Sequence, residues 1–244
     1  MTPAAPGPAA GRDASGRVSP EAISPEAMTR IVLRPVASSL PLGFLAFGVG
    51  TVLLTALELQ WVPLAQGRSL MVLVLAFVVP LEALAGVFAF LARDGGAATG
   101  LSLLAAAWAG TALTVLGGAP GARSAALGIF LLTLAATMAV LVAGSLQAKP
   151  LFGVLLAAGA GRFALTGLYE VIGGTKTLET VSGWIGVPVV AFALYGGLAL
   201  LLEDGAQRTV LPLGRRGRAR SSLEGDFGSQ IAQAEQEAGI RRQL

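Results

Sequence analysis

The chain has 244 residues, of which 54% are hydrophobic and 13% charged, and its mean hydropathy is +0.73. An average soluble domain is about 25% charged, and a folded interior of this size cannot hide so much apolar surface. There is no Cys and no His, which excludes disulfide scaffolds, thiol nucleophiles, Cys/His metal sites and imidazole chemistry. The composition therefore indicates a membrane protein, and we expect neither an enzyme nor a bound cofactor or metal.

Six apolar stretches are long enough to cross the hydrocarbon core, which needs about 20 residues in a helix. Short connections with Gly, Pro or a charge separate them. Because lipid-exposed backbone must satisfy its own hydrogen bonds, we predict helices and not strands. The predicted spans are Leu40–Leu59, Leu70–Ala92, Ala97–Leu116, Ala125–Leu146, Leu151–Ile172 and Trp184–Leu202.

The distribution of Lys and Arg predicts the orientation. Six spans put both termini on one side, and that side holds 13 basic residues against three on the other, Arg68, Arg123 and Lys176. This asymmetry predicts cytoplasmic termini in a plasma (inner) membrane. The pI of 9.9 thus reflects topology, and no nucleic-acid partner is expected.

The two ends of the chain differ from the apolar middle. Residues 1–35 are rich in Pro, Ala, Gly and Ser and lack an apolar segment, so we predict a disordered cytoplasmic tail. Residues 36–204 form the predicted six-helix membrane domain. Residues 205–244 form a basic, largely disordered cytoplasmic tail, in which Arg215–Arg220 either contact anionic lipid or are simply solvated.

Two charged residues lie deep in predicted spans, Glu82 in the second and Arg162 in the fifth. A charge at the bilayer centre costs about 2.5 kcal/mol or more, so each is a candidate functional residue. Two interpretations stay open for Glu82: a proton or pathway role, or a structural ion pair with Arg162. For Arg162, structural pairing is favoured over direct anion binding.

Three other residues are candidates for the pathway or for packing. Pro41 and Pro80 break helices at the start of or within spans, which suits either a solute path or a packing kink. Trp108 lies in mid-span, away from the membrane interface that Trp usually occupies. It is predicted to be a packing or pore-lining ring.

Several passages together resemble the acetate uptake transporter family, the succinate–acetate permeases. Ser38-Ser39-Leu40-Pro41-Leu42-Gly43 resembles the family's Asn-Pro-Ala-Pro-Leu-Gly entry motif, and Trp108 falls in its third-span signature. Near the end, Gly183-Trp184-Ile185-Gly186, Tyr195 and Arg208–Gly214 are similar to its sixth span and tail motif. The resemblance covers about residues 38–214.

The resemblance implies an all-α subunit with six transmembrane helices around a narrow central pore, assembled into a homo-oligomer, commonly a hexamer. It implies a constriction at Phe47 and Leu104, where relatives carry a tyrosine at the second position. Ser38 and Ser39 would form the polar mouth in place of Asn-Pro. Glu82 stands where relatives carry glutamine and would act as a protonatable gate.

The resemblance thus implies a membrane transporter or channel for acetate or a similar small monocarboxylate, either passive or proton-coupled. Its partners would be the carboxylate solute, the lipid bilayer and further copies of the chain. The alternative is a non-transporting scaffold or sensor on the same fold, which the departures from the family motifs and the long tails favour. An embedded enzyme is disfavoured, because Glu82 has no acidic partner nearby in sequence.

Overall fold

The computed structural model describes residues 37–145, 150–173, 176–206 and 208–214. The predicted tail at 1–35 and the basic segment Arg215–Arg220, with the rest of the chain to 244, lie outside the described residues. Within the described ranges the chain is all α-helical, without a strand. Six helical segments are long and apolar enough to cross a membrane, as predicted from the sequence.

The six segments match the predicted spans in number and order. Four are single regular helices whose ends fall within two residues of the prediction, and the second and sixth begin earlier than predicted. They are α1 (Leu40–Glu58), a second span Leu64–Leu91 that includes α2 (Gly67–Leu73) and α3 (Val79–Leu91), α4 (Gly95–Gly117), α5 (Ala125–Ser145), α6 (Pro150–Ile172) and α7 (Thr177–Ala206).

Local chemistry sets several helix ends. Pro41 lies in the first turn of α1, where a missing N–H breaks no helical hydrogen bond. Asp94 is the N-cap of α4, and its carboxylate accepts a hydrogen bond from the Ala97 N–H at 3.2 Å. The connection between α3 and α4 is therefore short, and the two helices pack against each other.

The second span contains a wide turn. Residues Val74–Val78 form a π-helical turn between α2 and α3, and Pro80 is the second residue of α3. Proline has no N–H to donate, and its ring would crowd the carbonyl four residues earlier, so the backbone departs from α geometry here. Glu82 follows in the first turn of α3, and the wide turn therefore helps to set the direction in which Glu82 points.

The spans close into a ring. Each packs against the next along the chain, and α7 returns to pack against α1, whose other principal neighbour is α3. Small residues allow these close approaches: a Cβ on Gly43 would come within 2.6 Å of a Leu101 methyl group, and one on Gly196 within 2.5 Å of the Phe44 ring. The ring places the second and fifth spans on different sides of its centre.

Candidate functional site

An apolar cavity lies inside the ring. Its volume is about 20 Å³, which is enough for roughly one water molecule. Side chains from α1, α4, α5 and α6 surround it, and no charged group is among them. They are Gly43, Phe44, Phe47, Leu101, Leu104, Met138, Phe152, Leu155, Leu156, Gly159 and Phe163.

Phe47 and Leu104, the two residues expected to form a constriction, line this cavity together. Phe47 also packs edge-on against Trp108, with ring centroids 6.1 Å apart and an interplanar angle of 60°. The Trp108 ring is buried and covers Gly50. These aromatic contacts fix the Phe47 ring from one side, which holds the cavity narrow.

Glu82 is fully buried but does not line the cavity. Neither carboxyl oxygen has a hydrogen-bond partner among the described residues. The Trp108 side chain is its neighbouring polar group, yet the indole Nε1 does not reach hydrogen-bonding geometry. A buried carboxyl group without partners is unusual enough to mark a site of function or of local instability.

The residues expected at the polar mouth lie at the start of α1. Ser38 is exposed, whereas the Ser39 hydroxyl donates a hydrogen bond to the Ala85 carbonyl oxygen at 2.8 Å and ties α1 to α3. Pro41 is buried in the first helical turn. None of the three lines the apolar cavity.

Arg162 forms an ion pair with Glu58 and not with Glu82, which corrects the pairing considered from the sequence. Arg162 Nη2 donates to Glu58 Oε2 at 2.5 Å, and both side chains are only 9% exposed. The two partners come from α6 and α1. Glu82 lies on the second span, which does not border the fifth in the ring. Its carboxyl oxygens accordingly form no hydrogen bond with Arg162.

Two hydroxyl groups complete the surroundings of Glu58. Its Oε1 accepts hydrogen bonds from Thr166 Oγ1 at 3.2 Å and from Ser182 Oγ at 3.1 Å. The two hydroxyl oxygens are 2.9 Å apart. We refer to Glu58, Arg162, Thr166 and Ser182 as the Glu58 cluster. Both Glu58 oxygens thus accept hydrogen bonds, which helps to offset the cost of burying this carboxylate.

Glycines on α7 make room for this cluster. A Cβ on Gly186 would stand 2.1 Å from Thr55 Oγ1 and 3.0 Å from Arg162 Cζ, and one on Gly183 would stand 3.2 Å from Glu58 Cβ. Both positions belong to the Gly-Trp-Ile-Gly passage singled out in the sequence. That passage therefore serves here to let α7 approach α1 and the Arg162 side chain.

Sequence reasoning missed Glu58, although a signal was present. Glu58 is the only charged residue in the predicted first span, at its last turn. The aromatic residues that α6 contributes to the cavity, Phe152 and Phe163, were also missed. A hydropathy pattern cannot distinguish them from lipid-facing residues.

A polar pocket opens beside the Glu58 cluster, at the end of the bundle where α1 ends and α7 begins. Its volume is about 180 Å³. It is lined by Glu58, Leu59, Gln60, Trp61, Lys176, Thr180 and Trp184. On α6, Gly159 and Phe163 line the apolar cavity and lie within three residues of Arg162, so the same stretch of α6 borders the cavity and contributes to the cluster.

Within the described ranges, no three Asp or Glu side chains come close enough together to hold a metal ion. The buried charges instead form an ion pair with neutral hydroxyl donors.

A ring of six apolar helices with a buried ion pair and an internal cavity defines an all-α, multi-pass membrane protein. No family model and no curated protein sequence matches the chain. Among solved structures, the chain is similar to the bacterial acetate channel SatP, with a TM-score of 0.64 and 23% sequence identity. The match covers 73% of this chain and 99% of that one, so the two proteins share a fold over the whole length of SatP.

Proposed function

We propose that the chain is a membrane transporter or channel for acetate or a similar small monocarboxylate. The observation that carries the proposal is the narrow apolar cavity inside the closed ring, lined by Phe47 and Leu104, in a fold shared with a bacterial acetate channel. The cavity is the narrowest part of the proposed pore. The free-energy cost of crossing such an apolar segment is far lower for a neutral, protonated acid than for its anion.

The direct test is uptake of radiolabelled acetate into proteoliposomes that contain the purified full-length chain. We expect uptake above that of protein-free vesicles, faster at pH 5 than at pH 8 because the solute crosses as the neutral acid. Uptake equal to that of protein-free vesicles at both pH values would contradict the proposal. The same result would favour the non-transporting scaffold or sensor.

We further propose cytoplasmic termini in a plasma membrane, as the basic-residue asymmetry predicts. The absence of Cys from the chain makes any introduced thiol a unique reporter. A membrane-impermeant maleimide added to intact cells should label Ala122→Cys, in the exposed turn between α4 and α5, and leave Ser38→Cys unlabelled. The reverse pattern would invert the topology.

A homo-oligomer, most simply a hexamer as the family resemblance implies, is also proposed. The second span exposes large apolar side chains such as Phe77, Phe88 and Phe90 on its outer surface. Such a surface is covered either by lipid or by another subunit. Native mass spectrometry of the detergent-solubilised protein distinguishes a hexamer from a monomer.

A further inference from the structure

The polar pocket and the Glu58 cluster share one side chain, the Glu58 carboxylate. Glu58 lines the pocket and at the same time accepts hydrogen bonds from Arg162, Thr166 and Ser182. Three donors that converge on one carboxylate form a ready-made site for a carboxylate. In the structure, the chain's own Glu58 occupies that site.

Arg162 has unused capacity to bind a second anion. A guanidinium group carries five N–H donors, and the buried Nε of Arg162 has no hydrogen-bond partner in the described chain. The side chain is only 9% exposed, so this donor has no access to bulk water. The free Nε–H of Arg162 could therefore bind an incoming anion while the Glu58 carboxylate is still bound to Nη2.

The charges around Glu58 determine what must accompany an incoming anion. Arg162 and Lys176 are positive, and Glu179 lies within electrostatic range of Glu58 and Lys176. Glu58, Arg162, Lys176 and Glu179 sum to zero when all are charged, and Glu170 adds a further negative charge near Glu179, so an added anion alone would leave a net negative charge in a poorly solvated site. One proton taken up with the anion cancels the charge that the anion brings.

We propose that the polar pocket is the entry site for a small monocarboxylate anion, which replaces Glu58 on Arg162 when Glu58 takes up a proton. Lys176 collects the anion in the pocket, where there is ample room for a hydrated solute. A proton from solvent neutralises Glu58 and weakens its bond to Arg162. The anion then receives the charge-assisted hydrogen bonds of the guanidinium. This inference rests on the proposed function.

The test is to measure acetate binding to the purified full-length protein from pH 5 to pH 8, with tryptophan fluorescence as the signal. Trp61 and Trp184 line the pocket and report on it, and Trp108→Phe should keep the signal because that ring is buried elsewhere. We expect wild-type affinity to rise as pH falls, by up to about tenfold per pH unit for one linked proton.

Glu58→Gln imitates the protonated side chain and is the central variant. At pH 8 it should bind acetate about tenfold more tightly than wild type, because a competing charged hydrogen bond is removed. Its affinity should be nearly independent of pH. A purely structural ion pair predicts the opposite, since losing it would loosen the site. Wild-type affinity with a wild-type pH dependence in Glu58→Gln would overturn the proposal.

Lys176→Gln provides a second test at an exposed position, where folding is not at risk. It should weaken acetate binding about threefold, whereas Arg68→Gln should not. Arg68 is an exposed basic residue at the same end of the bundle and does not line the pocket. Equal affinities in the two variants would overturn the role of Lys176. Absence of acetate uptake by wild-type proteoliposomes would instead refute the proposed function itself.

Discussion

Trp108 lies directly over the backbone of Gly50. A Cβ atom on Gly50 would stand 2.8 Å from Trp108 Cζ2 and 3.0 Å from Val78 Cγ1, closer than side chains pack. The contact joins α1 to α4 and to the wide turn of the second span. It also holds the indole against Phe47, at the edge of the apolar cavity.

Gly50→Ala should therefore destabilise the protein by about 1–3 kcal/mol, because the added methyl group overpacks a fixed ring. The measurement is thermal unfolding in detergent. Gly48→Ala is the matched control on the same helix, since its Cβ would meet Ala193 at an ordinary 3.4 Å. Equal melting temperatures for the two variants would show that the ring moves aside without penalty.

Glu82→Gln separates the two carboxylates that could carry pH sensitivity, Glu82 and Glu58. The structure shows no hydrogen bond to the Glu82 carboxyl group, so a neutral amide of the same shape removes no interaction seen there. We expect acetate uptake by Glu82→Gln to keep the wild-type pH profile, because the proton uptake proposed above is at Glu58.

Glu170→Gln controls for removing a carboxylate that lines neither the apolar cavity nor the polar pocket, since Glu170 accepts a hydrogen bond from the Ser124 N–H. A flat pH profile in Glu82→Gln, with the wild-type profile kept in Glu170→Gln, would move the proton-sensitive step to Glu82. That result would support the gate predicted from the sequence.

Leu104→Ala should widen the apolar cavity and admit larger solutes. We expect uptake of butyrate relative to acetate to increase, at a stability cost of about 2 kcal/mol or more from the lost packing. Leu113→Ala is the control on the same helix, because Leu113 is 61% exposed on the outer surface. Unchanged selectivity in Leu104→Ala would place the constriction elsewhere.

Tyr195→Phe should release the segment after α7. The Tyr195 hydroxyl donates a hydrogen bond to the Pro212 carbonyl oxygen at 2.9 Å, and its loss costs about 1 kcal/mol. We expect faster tryptic cleavage after Arg208. Tyr169→Phe replaces the only other tyrosine and should leave the cleavage rate at the wild-type value; equal rates in both variants would mean that other contacts hold the segment.

Hydropathy was sufficient to predict the six spans, because a long apolar segment that crosses the bilayer must satisfy its backbone hydrogen bonds internally and therefore folds as a helix. It was less accurate at the charged ends of spans. The sixth was predicted to begin at Trp184, yet α7 begins at Thr177 and includes Glu179. A helix can continue into the polar headgroup region, where charges are tolerated and a hydropathy threshold no longer applies.

The candidate site was only partly predictable. Phe47 and Leu104 were found through motif resemblance, and they share one cavity. The partner of Arg162 could not be found in this way, because periodicity does not tell which helices are neighbours or how each is rotated. Glu58 and Arg162 are 104 positions apart in sequence, and only the closed ring brings them together.

The wide turn at Val74–Val78 has a consequence for the evolution and engineering of the second span. One residue corresponds to about 100° of rotation in an α-helix, and a π-helical turn holds one residue more than the α-helical turn it replaces. Deleting a single residue there would restore regular winding and leave α3, and Glu82 with it, at nearly the same rotation relative to α2, because the turn already holds the extra residue. A one-residue deletion at this turn should thus be tolerated, whereas the same deletion within α3 ahead of Glu82 would rotate that side chain by about 100°.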